Sequence, residues 1–216
     1  MAYRDLNDSV EGVNLVGTRL RLPSVKRIVD FVCALVLLIP ISFVLLPAAI
    51  AIKLTSSGPV LFRQTRYGRN LKPFTIFKLR TMRVEENGDA FRQAVKGDAR
   101  ITRVGAFLRK TSLDELPQIL NVLRGDMSFV GPRPHATKHD NEFRTLIPGY
   151  ERRFRVRPGI TGLAQIKGHR GPTETVEAMA KRIKYDLEYT DTASALLDLK
   201  IVFATVLVVV IGKNAF

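Results

Sequence analysis

The feature that most restricts this chain is Phe31 to Ile52, FVCALVLLIPISFVLLPAAIAI, a run of 22 residues without a charge. As a helix it would be about 33 Å long, enough to cross a bilayer. Both flanks are basic. Arg19, Arg21, Lys26 and Arg27 precede it, Lys53, Arg63, Arg66, Arg69, Lys72, Lys78, Arg80 and Arg83 follow, and no acid occurs from Phe31 to Val84. Basic flanks are retained on the cytoplasmic side, so the simplest arrangement returns both ends to that face. This requires a bend within the membrane, which Pro40 and Pro47 can supply because proline removes a backbone hydrogen bond and kinks a helix. The expectation is a re-entrant helix-break-helix over residues 25–54, after a mobile segment over 1–24 and before one cytoplasm-facing domain over 55–216. Two other readings fit the run. One is a single-span helix that tolerates its prolines. The other is a signal peptide cleaved near Ala49, Ile50 and Ala51, against which stand the long leader before Ile28 and the dense positive charge after the run.

The charge balance, 34 Lys+Arg against 20 Asp+Glu for a net +14, calls for an anionic partner: a membrane face, a phosphorylated substrate or nucleic acid. The single cysteine, Cys33, excludes an intramolecular disulfide and fits a reducing compartment. His135, His139 and His169 have no metal-site spacing with cysteine or acid and are read as surface or supporting residues.

Beyond the apolar run, VLFRQ and FTIFKL read as two strands joined through Tyr67 to Pro73, a hairpin whose basic residues either lie close to lipid headgroups or form a solvated basic surface. Glu85 to Gly97 reads as a polar loop. Ile101, Val104 and Leu108 repeat at helical spacing among Arg100, Arg103 and Lys110, giving an amphipathic basic helix that either packs on the core or lies on the membrane. Val176, Ala180, Ile183 and Leu187 mark another helix, and Leu196, Leu199, Phe203, Val206 and Val210 a last one, interfacial or core because Ile201 to Ile211 is too short to span. The fold class expected is α+β, mostly helical with a small β-hairpin, a re-entrant membrane helix and amphipathic interfacial helices.

Within TSLDELPQ, Asp114 and Glu115 are the only acids from Ala99 to Gly125, among Arg100, Arg103, Arg109, Lys110 and Arg124. Ser112 followed three residues later by Glu115 reads as a helix capping box. Pro117 complicates that reading, because it would fall past the first turn of a helix begun at Ser112. A helix from Pro117 to a stop at Gly125 fits better and leaves the two acids just before it. There the helix dipole and the arginines are expected to keep both ionised, for a metal ion or for nucleophilic work. Capping and chemistry both remain open on spacing alone.

Two segments hold arginines stiffly. GPRPH fences Arg133 between prolines, either a plain turn or a pre-organised guanidinium for a phosphate or base edge. FRVRPGITG alternates Phe154 and Val156 with Arg155 and Arg157, so as an extended segment it points both arginines one way, either to solvent or to a diphosphate. A membrane segment, an acidic pair and positioned arginines together indicate a diphosphate met at the bilayer surface, with Mg²⁺ between carboxylate and phosphate oxygens.

In order along the chain, KRIVDFVCALVLL, GPVLFRQTRYGRN, PFTIFKLRTM, TSLDELPQILNVLRGDMSFVGPRP and VRPGITGLAQ resemble the bacterial sugar transferase family, monotopic phosphoglycosyl transferases, over roughly Lys26 to Lys200. The resemblance implies transfer of a sugar 1-phosphate from a UDP-sugar to undecaprenyl phosphate, releasing UMP and starting a surface glycan or exopolysaccharide at the cytoplasmic face of the bacterial inner membrane. It implies Asp114 as nucleophile, Glu115 with Asp114 as Mg²⁺ ligands, and Arg109, Arg133, Arg155 and Arg157, with Lys78 and Arg80 as weaker candidates, as phosphate or nucleotide ligands. The family's Ser-Pro at the membrane break is absent, since Ser42 precedes Phe43 and the prolines fall at Pro40 and Pro47. Longer relatives carry a multi-span N-terminal region, so this chain is expected to be the minimal catalytic unit. Partners expected are the UDP-sugar, undecaprenyl phosphate and membrane lipid, with no nucleic acid; a homo-oligomer is compatible with the sequence. Two rival functions are a non-catalytic membrane-anchored basic scaffold and a direct glycosyltransferase that releases UDP.

Overall fold

The computed structural model describes residues 22–83, 98–171, 173 and 175–211. Residues 1–21 of the expected mobile segment 1–24 and the expected polar loop Glu85 to Gly97 lie outside these residues, while Leu22 to Ser24 open a helix instead.

Helix α1, Leu22–Thr55, comprises 34 residues and contains Pro40 and Pro47. The expected break is corrected: α1 runs as one helix through both prolines, with Pro40 and Pro47 in its interior. The Ser42 hydroxyl donates to the Ile39 carbonyl at 2.6 Å. One face of α1 packs on the rest of the molecule along most of its length. Ala34 joins a cluster with Phe74, Ile76, Ile119, Val122 and Met127, with Leu38 and Ile41 beside it. Further along, Ile52 packs with Leu79 and Leu108, flanked by Leu45 and Ala48. The other faces leave Val29, Val36, Ile39, Phe43, Leu46 and Leu54 exposed, more contiguous apolar surface than water tolerates without a partner.

The hairpin forms as expected. Strands β1, Leu61–Tyr67, and β2, Pro73–Leu79, pair antiparallel from Leu61 opposite Leu79 to Tyr67 opposite Pro73. β2 buries Phe74, Ile76, Phe77 and Leu79. Its free edge is closed by a side chain: the Asn121 carboxamide accepts from the Phe77 amide at 3.1 Å and donates to the Thr75 carbonyl at 2.7 Å. An unpaired strand edge is thereby satisfied and the segment carrying Asn121 is fixed against β2.

Helix α2, Arg103–Thr111, starts from Thr102, whose hydroxyl accepts the Gly105 amide at 2.9 Å. Helix α3, Ile119–Arg124, carries Asn121, and α4 spans Thr137–Leu146. Strands β3, Ser128–Val130, and β4, Gly159–Thr161, form a parallel pair absent from the sequence expectation, because three-residue strands carry no readable alternation. A short α5, Leu163–Ile166, precedes α6, Val176–Thr192, and α7, Ala195–Ile211. Ile183 is buried and Ala180 and Leu187 pack beside it, so most of the expected apolar face of α6 is used. On α7 the residues that marked the helix, Leu196, Leu199, Phe203 and Val206, face outward, while Ile201 is the buried anchor. α7 thus leaves an apolar face exposed.

The expected extended segment at FRVRPG is corrected. Tyr150–Arg155 is a 3₁₀ turn, so Arg155 and Arg157 do not share the face of a strand. Tyr150 and Phe154 both insert among Phe143, Ile147, Met179 and Ile183, and that i, i+4 pairing outweighs the local alternation.

Candidate active site

Helix α2 ends at Ser112, which is left-handed at φ 60°, and a 3₁₀ turn over Leu113–Gln118 carries Asp114 and Glu115 into α3. Pro117 lies within this turn, so the α-helix starts two residues later than expected, and it stops as expected at Gly125, φ 88°. The capping box does not form. Ser112 makes no side-chain cap bond and its hydroxyl is met by Arg170, while the Glu115 side chain turns to cations elsewhere in the chain.

Glu115 accepts from Lys78 Nζ at 2.8 Å and from both terminal nitrogens of Arg133, one of them at 3.1 Å, in a fork geometry. Burial works against its charge, but Arg133 and Lys78 outweigh burial and hold its carboxyl well below the usual range. Asp114 is equally buried, and among the described residues no hydrogen bond or ion pair claims it. Burial first, then the neighbouring charge of Glu115, push its carboxyl up to about 6 against the pull of Lys78, Arg133 and Arg109. The cations thus hold Glu115 firmly ionised, whereas at Asp114 burial outweighs them and raises the carboxyl, which still ionises above about pH 6.

Arg133 is placed by two glycines. The Gly131 amide donates to Thr161 and the Gly159 amide to Pro132, each at 2.9 Å, and a Cβ on either glycine would overlap the backbone of the facing segment. Gly159→Ala is expected to cost roughly 3 kcal/mol by overpacking, a fall of roughly 6–12 °C in the thermal unfolding midpoint. An unchanged midpoint would show that the two segments separate freely.

The remaining candidates scatter. Arg109 reaches Asp114 only through its charge. Arg80 is buried, donating to the Ser57 carbonyl and, at 2.8 and 3.0 Å, to the Ser56 carbonyl and hydroxyl, so it fixes the turn after α1. Arg157 Nε donates to the Gly125 carbonyl at 2.9 Å, and Arg27 reaches the Val122 and Leu123 carbonyls, the latter at 2.7 Å. These two arginines cap the C-terminal end of α3, opposite to the acidic pair. Arg155 is exposed on a separate open cleft with Arg144 and Arg152. Pro40 and Pro47 stay within α1.

Sequence reading missed two groups. Arg170 and Gln165 line the same groove as Glu115 and Arg133. Arg153, Asp140 and Asp186 form a buried charged cluster behind Arg133. The available signal was Asp186 on the buried face of α6, three residues after Ile183, where a charge demands a partner.

The groove, about 400 Å³, has a polar end at Glu115, Arg133, Arg170 and Ser112. Its apolar wall comes from Leu37 and Ile41 of α1, Val208 of α7, and Leu116, Ile119 and Phe129. Unclaimed buried carboxylate, adjacent cations and an apolar wall built partly on helices with exposed apolar faces suit nucleophilic chemistry on a phosphorylated amphiphile.

A family model described as bacterial sugar transferase matches residues 21–212. A UDP-glucose:undecaprenyl-phosphate glucose-1-phosphate transferase of Klebsiella pneumoniae is 53% identical over 207 residues, 96% of this chain and 43% of its own length. One of the same name from Caulobacter vibrioides is 56% identical over 191 residues, 88% of this chain and 72% of its own. A UDP-N-acetylgalactosamine-undecaprenyl-phosphate N-acetylgalactosaminephosphotransferase of Aeromonas hydrophila is 40% identical over 207 residues, 94% of this chain and 48% of its own. This chain thus spans under half the length of the Klebsiella and Aeromonas relatives. With the match running across nearly the whole sequence and through Asp114, Glu115 and Arg133, the chain belongs to the bacterial sugar transferase family.

Proposed function

We propose that this protein transfers glucose 1-phosphate from UDP-glucose to undecaprenyl phosphate, releasing UMP, as the first membrane step of surface glycan or exopolysaccharide synthesis. The observation that carries this reading is Asp114, a buried carboxylate unclaimed by any described side chain, next in sequence to the cation-clamped Glu115, which together with Arg133 lines an apolar groove. Glucose is preferred because the relatives at 53% and 56% identity are named for UDP-glucose, whereas the one named for N-acetylgalactosamine stands at 40%.

In this mechanism an Asp114 oxygen attacks the sugar-bearing phosphorus of UDP-glucose. The bond from that phosphorus to the bridging oxygen breaks, the electron pair leaves with UMP, and the phosphosugar stays on Asp114. A phosphate oxygen of undecaprenyl phosphate then attacks the same phosphorus and frees the carboxylate. Lys78, Arg133 and Arg109 neutralise the diphosphate so that an anion can approach it, and Glu115 holds the first two in place. If Mg²⁺ binds here, Asp114 would hold it through a carboxylate that no described side chain claims. Glu115 would join only by releasing a cation it now binds, and no cluster of three His, Cys, Asp or Glu exists among the described residues. When bound, Mg²⁺ supplies charge neutralisation at the phosphate oxygens.

The membrane arrangement follows from α1. A straight 34-residue helix is about 51 Å long. Yet Arg27 near its start and Ile52 near its end both touch the domain that carries Asp114. Both ends on the domain's side fit re-entry, or a helix lying along the membrane face, and do not fit a span that carries one end away.

The test embeds the protein in nanodiscs with undecaprenyl phosphate and Mg²⁺, supplies a panel of UDP-sugars and identifies the released nucleotide. UMP from UDP-glucose is the expected product. UDP instead would establish direct glycosyl transfer, and salt-sensitive lipid binding with no nucleotide release would establish the scaffold. The pH profile is a second check. Asp114 must be ionised to attack, so kcat/KM is expected to fall tenfold per pH unit below about pH 6. An acid limb near pH 4 would contradict the buried environment of the nucleophile.

A further inference from the structure

We propose that Arg153 is a positioning residue for Arg133: a buried guanidinium that fixes the loop from which Arg133 reaches the substrate diphosphate. The proposal rests on the functional reading above, in which Arg133 meets that diphosphate.

Arg153 is only 2% exposed and cannot itself reach a ligand. One terminal nitrogen donates to the Arg133 carbonyl and, at 2.9 Å, to Asp186. The other lies 2.8 Å from His135 Nδ1 and 3.1 Å from both Asp140 Oδ1 and the Tyr150 hydroxyl. A single side chain thus grips the segment Arg133-Pro134-His135 at both ends, at a carbonyl and at an imidazole. From the same segment the Arg133 side chain forks onto Glu115.

The anchors come from distant parts of the fold. Asp140 lies on α4 and Asp186 on α6, and the Tyr150 hydroxyl braces Asp140 at 2.7 Å. Stability alone does not account for this cluster. Taking two carboxylates and a guanidinium out of water costs more than pairing returns, and apolar residues of the same volume commonly serve a core as well or better. Partners also run short: Asp140 Oδ2, Asp186 Oδ1, His135 Nε2 and Arg153 Nε have none among the described residues. What an apolar core cannot do is hold a backbone carbonyl and an imidazole at fixed distances. Lysine cannot do it either, because its ammonium is a point charge without the planar fork that spans these partners.

A double-mutant cycle separates positioning from plain structural support. Arg153→Lys, Arg133→Lys and the double variant are prepared in nanodiscs, with thermal unfolding as the check on folding. UDP binding is measured by calorimetry and UMP release from UDP-glucose in parallel. Each single substitution is expected to weaken UDP binding about tenfold, and the double variant no more than about twentyfold, because a residue acting through Arg133 has nothing left to position once Arg133 is changed. Losses that multiply to about a hundredfold, or an Arg153→Lys protein with wild-type UDP affinity, would overturn the proposal. Should Arg153→Lys fail to fold, Asp186→Asn takes its place, removing one anchor at constant volume. Non-additive UDP binding without UMP release would sink the transfer reading alone, and a wild type that does not bind UDP would sink the positioning role.

Discussion

Asp114→Asn is expected to lower UMP release by at least about 10³-fold, the scale on which loss of a covalent nucleophile is felt. The amide has the same shape but no charge and no nucleophilic oxygen of comparable strength. Its structural effect should run the other way. No described group hydrogen-bonds to Asp114, so the substitution leaves no partner stranded. The carboxyl is pushed up to about 6 by burial and by Glu115, so ionising it costs the folded state stability as pH rises through that value. Asparagine does not ionise, and the variant is expected at pH 7.5 to unfold at the wild-type temperature or above it. An inactive protein that is at least as stable as the parent separates a chemical role from a structural one. Mass spectrometry provides the direct check: without acceptor lipid, wild type should release up to one UMP per molecule and gain a phosphohexose, and the variant neither. A variant that retains full activity would show that another group attacks phosphorus.

Arg133→Met should cost about 10²–10³ in kcat/KM, as loss of a charge-stabilising donor does elsewhere. It should also move the pH profile, and the direction is fixed by the site. Arg133 lowers the pKa of both carboxyls, and Glu115 would be left with Lys78 as its one remaining ion-pair partner. Both carboxyls then bind protons more readily, so the acid limb should shift above pH 6. Measuring kcat/KM from pH 5 to 9 in both proteins decides the matter. Lowered activity with an unmoved limb would mean that Arg133 binds substrate without setting the field around Asp114.

Much of the scaffold was legible locally. The length of α1, the hairpin and its turn, the stop of α3 at Gly125 and the apolar face of α6 each follow from residues within a few positions of one another. The acidic pair was legible too, because two adjacent carboxylates in a basic stretch stand out whatever the fold. The 3₁₀ turn at Tyr150–Arg155 was not, since the alternation in FRVR pointed to a strand and only the pocket formed by Phe143, Ile147, Met179 and Ile183 favours Tyr150 and Phe154 on one side.

The arginines divide the same way. The sequence by itself determined that this chain is basic, carries a long apolar run and sets Asp114 beside Glu115. Only the tertiary structure decided which cations serve that pair. Lys78 comes from 37 residues before Glu115 and Arg133 from 18 after it, whereas Arg80 and Arg157 spend their donors on backbone carbonyls and Arg153 disappears beneath the site. A guanidinium binds carboxylate, carbonyl or phosphate with similar geometry. Which of these it meets is set by long-range packing, and no local pattern of residues encodes that choice.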